Sequence, residues 1–227
     1  MSFGEREPKG IVNLGDREMK TSSGECNAAD ICLAYARELQ NKRMFNEAIQ
    51  EYRRGLVFDP ENAGAWEGIA ACNLELGNAR LAIEALDNLT KIAPDSSTVW
   101  SDKGFLHLLM NQNTQGIGAL REGLRLHPRQ VREWELLATA LMVEEEWEAA
   151  FDALERTLDL NPNSAITWYN LSICYMMFDD YSAAIEAAEH AISLDPSLSI
   201  LADEWIDVVR EEAIEEDFPD IPGIAAS

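Results

Sequence analysis

Apolar residues along this chain alternate between two helical rhythms separated by short breaks. In the stretch 165–196, Trp168, Leu171, Ser172 and Tyr175 recur three and four positions apart. A break follows near Asp179–Asp180, and Ala184, Ala188 and Ala191 then mark a second helix that stops at Leu194-Asp195-Pro196. The same couplet recurs upstream. Cys32, Tyr35, Ala36 and Leu39 precede Ala48, Tyr52 and Gly55; Trp66, Ile69 and Ala70 precede Ala82, Leu86 and Leu89; Trp134, Leu137, Ala138 and Leu141 precede Ala150, Leu154 and Thr157. The pattern predicts pairs of amphipathic helices.

The couplets keep a fixed period. Pro60, Pro94, Pro128, Pro162 and Pro196 are 34 residues apart, and Trp66, Trp100, Trp134 and Trp168 keep the same interval, with Cys32 in the corresponding slot of the first unit. Two interleaved ladders of one period predict tandem copies of one helical hairpin. These residues resemble the tetratricopeptide repeat (TPR), with its W-x-x-L-G-x-x-Y, A-x-x-x-F and P positions. The resemblance implies an all-α fold, a right-handed α-solenoid of helix-turn-helix repeats. Five units are expected at 29–62, 63–96, 97–130, 131–164 and 165–198. Small residues such as Ala36, Ala70, Ala138, Ala48, Ala82 and Ala150 would let helix backbones approach, and stacking would give each unit the apolar neighbour that it lacks alone.

Three segments stand outside this regularity. Residues 1–28 carry Gly4, Gly10, Gly15 and Gly24 without an apolar period, and read as a flexible leader. Residues 199–216 place Leu201, Trp205 and Val208 on one stripe and acids on the other, as a capping helix for an open solenoid end requires. Residues 217–227 contain Pro219 and Pro222 and read as a tail. Within the array the third unit departs most: Gly116 replaces an alanine, and glycine costs about 1 kcal/mol relative to alanine in a helix. A softer repeat with a bend is expected there. His107 replaces a large apolar residue, and reads as a satisfied interior histidine.

One stretch is too greasy for a single buried stripe. In Trp168–Tyr181, ten of fourteen residues are apolar or aromatic. With Trp168, Leu171, Ser172 and Tyr175 used in packing, Tyr169, Ile173, Met176 and Met177 form a second face. The resemblance implies that the first helix of each repeat lines a concave groove. Its slots are mixed and polar in the first two units, with Asp30, Arg37, Glu67 and Glu75 among them. They become apolar toward the C-terminal half. The candidate peptide-binding residues are Phe105, Leu108, Leu109, Thr139, Met142, Tyr169, Asn170, Ile173, Met176 and Met177. Methionine suits such a surface because its side chain repacks around different partners. A capping helix or tight curvature covering this face is the alternative. Phe218, Ile221 and Ile224 on the tail are one candidate occupant, of their own groove or of a second copy's, which would make a homo-oligomer. A solvated tail is the other reading.

Charge and chemistry narrow the partners. The chain has 41 acids against 18 bases, a formal net charge of -23, which repels phosphate backbones and argues against nucleic acid. There is no run of eighteen apolar residues and no hydrophobic block near Met1, so a cytoplasmic protein that neither spans a membrane nor carries a secretory signal is expected. Cys26, Cys32, Cys72 and Cys174 lack C-x-x-C spacing, and read as small buried hydrophobes plus one exposed thiol. The family's clamp for the acidic tails of chaperones needs lysine, asparagine and arginine at slots held here by Leu33, Arg37, Gly68, Thr98 and Asp102. Asn170 alone fits, so the clamp is not expected. His107, His127 and His190 are scattered, and neither a phosphate-cradling loop nor zinc spacing is visible. The acids of 144–148 lack the pattern of a calcium loop. The expected function is therefore non-catalytic, without metal or cofactor: a scaffold or adaptor that holds a segment of another protein. The alternative is a structural subunit whose groove is permanently filled.

Overall fold

In the computed structural model, residues 27–202 and 205–208 are described. Ten α-helices follow one another as five antiparallel hairpins: α1 (Ala28–Asn41) with α2 (Phe45–Phe58), α3 (Ala63–Glu75) with α4 (Ala79–Ile92), α5 (Ser97–Leu109) with α6 (Asn113–Leu126), α7 (Val131–Val143) with α8 (Trp147–Leu160), and α9 (Ala165–Met177) with α10 (Tyr181–Leu194). A 3-10 turn, Pro196–Leu198, leads into helical residues 199–202 and 205–208, called α11. Each even helix also packs on the odd helix that follows it. In addition α1 touches α3 and α5 touches α7, while no two even-numbered helices meet as closely among the described residues. The odd helices thus form the inner layer of a right-handed α-solenoid and the even ones its outer layer.

The interior is built from the small and bulky slots in register. Ala36, Ala48, Ala82, Ala138, Ala150 and Ala184 are fully buried, and Leu86, Leu120 and Leu154 fill the space between them. Tyr52 occupies the same slot as these leucines in the first hairpin. Its ring lies on Gly68, and its hydroxyl donates to Gln40 Oε1 at 2.7 Å, so the one polar atom it buries is satisfied.

Each hairpin turns in the same way. The residue after the first helix cap has a left-handed backbone at Arg43 (φ 60), Gly77 (φ 73), Asn111 (φ 55), Glu145 (φ 59) and Asp179 (φ 59), 34 residues apart each time. The next amide bonds back to the carbonyl five residues earlier: Met44 to Leu39, Asn78 to Asn73, Gln112 to His107, Glu146 to Leu141 and Asp180 to Tyr175, at 2.8–3.0 Å. This is the Schellman closure, which satisfies carbonyls that the helix leaves free.

The tryptophan and proline ladders prove to be two ends of one bond. Trp66, Trp100, Trp134 and Trp168 each donate their indole N–H to the carbonyl of the proline six residues earlier, Pro60, Pro94, Pro128 and Pro162, at 2.8–3.0 Å. The indole ties the loop between hairpins to the first helix of the next one.

The third hairpin keeps the close packing of the others despite its glycines. α5 and α6 are continuous and pack closely on each other. A methyl group on Gly116 would lie 2.5 Å from Leu108 Cδ2, and one on Gly104 would lie 2.7 Å from Leu120 Cγ. Each site also looks onto the other glycine's carbonyl at 3.2 Å. The glycine cost expected from the sequence is offset by backbone contact that no larger residue permits. The buried apolar residues do divide here, one group running from α1 to α5 and a second from α6 to α9. Glycine-mediated contact bridges the division. His107 is half-buried, and its Nδ1 is paired with Gln112 Oε1 at 2.7 Å.

Candidate peptide-binding groove

The inner layer carries its slots in vertical register because the repeat period is constant. Leu109, Val143 and Met177 are the last residues of α5, α7 and α9, 34 positions apart, and are 61%, 64% and 50% exposed. The first two hairpins hold Asn41 and Glu75 at this slot. An apolar ladder therefore crosses the last three hairpins and is absent from the first two. Half-buried Ile173 and Met176 on α9 and exposed Ile166 extend it, with the half-buried amide of Asn170 on the same helix.

Other candidates named from the sequence are partly engaged by the protein itself. Leu108 and Met142 pack against the buried group of α6–α9, and Phe105 against that of α1–α5. Thr139 is exposed, and its hydroxyl donates to Glu135 O at 2.9 Å, an ordinary helical back-bond. Tyr169 leans on the C-terminal group formed by Ala188, Ala202 and Ile206, with its hydroxyl 3.4 Å from Leu201 O. α11 thus takes up part of the second apolar face of α9, and leaves Met177 open.

Polar groups stand at the upstream margin of the ladder. Arg132 lies over the Phe105 ring, 5.1 Å from its centroid, a cation–π contact between neighbouring inner helices. Asp102 is exposed by area, yet the surrounding inner wall desolvates its carboxylate. That desolvation pushes its pKa up, while the Arg132 guanidinium pulls it back and Glu133 adds to the rise. Arg43 and Glu75 form an exposed pair at 3.4 Å. The inner face is therefore mixed and polar over its first half and more apolar over its last.

Sequence spacing gave no sign of a second concavity on the outer side. A cleft of about 520 Å³ opens between α6 and α8, floored by Leu124, Leu137 and Leu141. From α8 it is lined by the small side chains of Ala149 and Ala153 and by the charged ones of Asp152, Glu155 and Arg156. Its rim arginines are engaged locally: Arg121 with Glu146 at 3.4 Å, Arg125 with Glu122 at 2.9 Å and Arg156 with Asp159 at 3.2 Å. It shares no residue with the inner groove.

The described thiols are not poised for chemistry. Cys32, Cys72 and Cys174 are buried, and burial raises the pKa of each, that of Cys174 to about 11. Cys26 lies outside the described residues, as do the tail residues Phe218, Ile221 and Ile224 and most of the expected capping segment. Among the described residues no cluster of His, Cys, Asp and Glu has the makings of a metal site, and no helix is long and apolar enough to cross a membrane.

Hairpins of two helices, a 34-residue period and an inner layer of odd helices define a tetratricopeptide solenoid. Tetratricopeptide repeat family models match residues 39–102, 106–165 and 136–199, together more than half of the sequence, and the chain belongs to this family. Among solved structures it is similar to YrrB, described as a TPR protein with an unusual peptide-binding site, at 17% identity. That match has a TM-score of 0.69 over 78% of this chain and 92% of that one. The MamA protein matches with a TM-score of 0.67 at 18% identity, over 77% and 95% of the two chains. MamA from Desulfovibrio magneticus gives 0.63 at 19%, over 74% and 96%. At these identities the likeness is one of fold. A curated relative, Superkiller complex protein 3 of Mus musculus, is 27% identical over 110 residues, which is 48% of this chain but 7% of that protein.

Proposed function

We propose that the protein is a non-catalytic interaction scaffold whose inner face holds a segment of a protein partner by apolar anchors. The observation that carries this reading is the ladder of Leu109, Val143 and Met177, half or more exposed at one slot of three successive inner helices. Apolar side chains set at a fixed repeat spacing can be read by an extended or helical peptide with regularly spaced anchors. Each buried anchor contributes roughly 1.5–3 kcal/mol before ordering costs. Two or three of them support binding in the micromolar range. Exposed Glu67 and Asp102, upstream of and beside the ladder, favour partners that carry positive charge next to their anchors. That YrrB is described as having a peptide-binding site supports the reading as an analogy of fold.

The test is selection of binders from a displayed peptide library, followed by titration of one selected peptide against Val143→Glu and Met177→Glu. Both side chains are exposed, so the variants should fold. The expected result is at least about a tenfold loss of affinity for each. Unchanged affinity in both variants removes the inner face as the binding surface. A permanently assembled subunit is the second reading, favoured by a relative named for a complex. It predicts that the isolated protein self-associates or aggregates through this same ladder, and that Val143→Glu with Met177→Glu restores a monodisperse monomer.

A further inference from the structure

The 34-residue register also shows what an inner helix presents to the hairpin before it. The slot of Ile31 is filled in later hairpins by Ala65, Val99, Glu133 and Thr167; three of these are buried and Glu133 is half-buried. The slot of Tyr35 is filled by Ile69, Leu137 and Leu171, all buried, and by half-buried Lys103. These positions pack on the outer helix of the preceding hairpin. In α1 the same positions hold large apolar residues, yet Ile31 is 55% and Tyr35 is 50% exposed. One turn further on, Glu38 replaces the buried Cys72, Leu106, Ala140 and Cys174 of later hairpins, and pairs with Lys42 in solvent. The first helix thus keeps an interface stripe two residues long and ends it with a charged pair.

We propose that the leader docks its Ile11-Val12-Asn13-Leu14 block on the Ile31–Tyr35 stripe and closes the N-terminal end of the solenoid. Three considerations select this occupant. Ile31 and Tyr35 together expose roughly 200 Å², far below the roughly 800 Å² per partner of a stable dimer. A second copy is therefore a poor match, and a short apolar segment a good one. The block lies within the 26 residues that precede Asn27. The twelve residues between Leu14 and Asn27 can span up to about 40 Å, and the tether raises the local concentration of the block into roughly the millimolar range. The sequence register, finally, does not match that of a preceding repeat helix. Glu18 would fall on the slot where Tyr52, Leu86, Leu120, Leu154 and Ala188 are buried. Leu14 would fall where Ala48, Ala82, Gly116, Ala150 and Ala184 admit only a methyl group or less. The leader therefore covers the stripe with its apolar block rather than continuing the array.

Hydrogen–deuterium exchange on the full chain tests this, with molar mass measured by light scattering across a concentration series. In the wild type, peptides spanning residues 9–16 should exchange at least about tenfold more slowly than an unstructured segment of the same sequence. Ile31→Glu with Tyr35→Glu should return them to the unstructured rate, and so should Ile11→Asp with Leu14→Asp. The second pair lies outside the repeats, so it reads the contact without endangering the fold. The molar mass should stay that of a monomer throughout. Exchange of residues 9–16 at the unstructured rate in the wild type overturns the proposal. So does a concentration-dependent dimer that Ile31→Glu with Tyr35→Glu abolishes, which would assign the stripe to a second copy.

Discussion

Replacing Glu145 by glycine should stabilise the protein and replacing Gly77 by alanine should destabilise it, although the two residues hold the same slot of their repeats. Both have a left-handed backbone, φ 59 and φ 73, at the Schellman closure of a hairpin. A residue with a Cβ is less stable there than glycine by about 1–2 kcal/mol. Glycine in turn loses about 0.5–1 kcal/mol more chain entropy on folding. The difference leaves about 0.5–1 kcal/mol in favour of glycine at either site. No heavy atom lies within 4 Å of a Cβ built on Gly77, so alanine there meets no clash and its cost is conformational alone. Glu145 is exposed, so its removal exposes no cavity. Urea unfolding followed by circular dichroism should show the midpoint rise for Glu145→Gly and fall for Gly77→Ala. Thermal midpoints should move about 2–3 °C in the same directions. Asn111 is an internal control, since asparagine tolerates this conformation better than most residues, and Asn111→Gly should gain less. If Glu145→Gly leaves the midpoint unchanged or lowers it, the assignment of strain to this turn is wrong.

Other changes probe packing, latch and thiol. Gly68→Ala would place a methyl group 2.2 Å from Tyr52 Cζ, and the ring is buried with nowhere to move. A loss of about 2–3 kcal/mol is expected in the same urea assay. Trp134→Phe keeps most of the apolar area but removes the 2.8 Å bond to Pro128 O, and should cost about 1 kcal/mol. Burial holds the Cys174 thiol up to about 11, so the folded protein keeps a proton that the unfolded chain has already lost. Its contribution is complete below the ordinary thiol value of about 8.5, and is lost as pH rises from there toward 11. The alkaline fall in stability should be shallower in Cys174→Ala, and a thiol reagent at pH 8 should label Cys174 only after denaturant is added.

The scaffold could be read from spacing because each repeat uses the same residue types for the same job. Alanine recurs where backbones meet, and tryptophan recurs because its N–H has a fixed acceptor in the preceding proline. The left-handed turn could not be read, since only Gly77 of its five residues announces it; Arg43, Asn111, Glu145 and Asp179 look like ordinary loop residues. The glycines of the third hairpin were legible as an exception but misleading in sign. A glycine's effect depends on what lies opposite its hydrogen, and Gly104 and Gly116 face each other across sequence that no local rule links. The candidate groove was partly legible. Slot counting places Leu109 and Met177 on an open face, but it cannot tell that Leu108 and Met142 turn into the core or that α11 draws Tyr169 away. The outer cleft and the unmatched stripe of α1 emerge only when the packing of one hairpin is compared with the next.

The bond between each indole and its proline carbonyl has a practical consequence for anyone watching this molecule melt. Four of the six tryptophans sit at equivalent stations in hairpins two to five, and the first hairpin has none, since Cys32 stands in that place. Intrinsic fluorescence will report the loosening of the last four stations and stay dark while the first one frays. A fluorescence midpoint above the one seen by circular dichroism would map where the lamps are hung, and would not by itself mark a discrete folding intermediate.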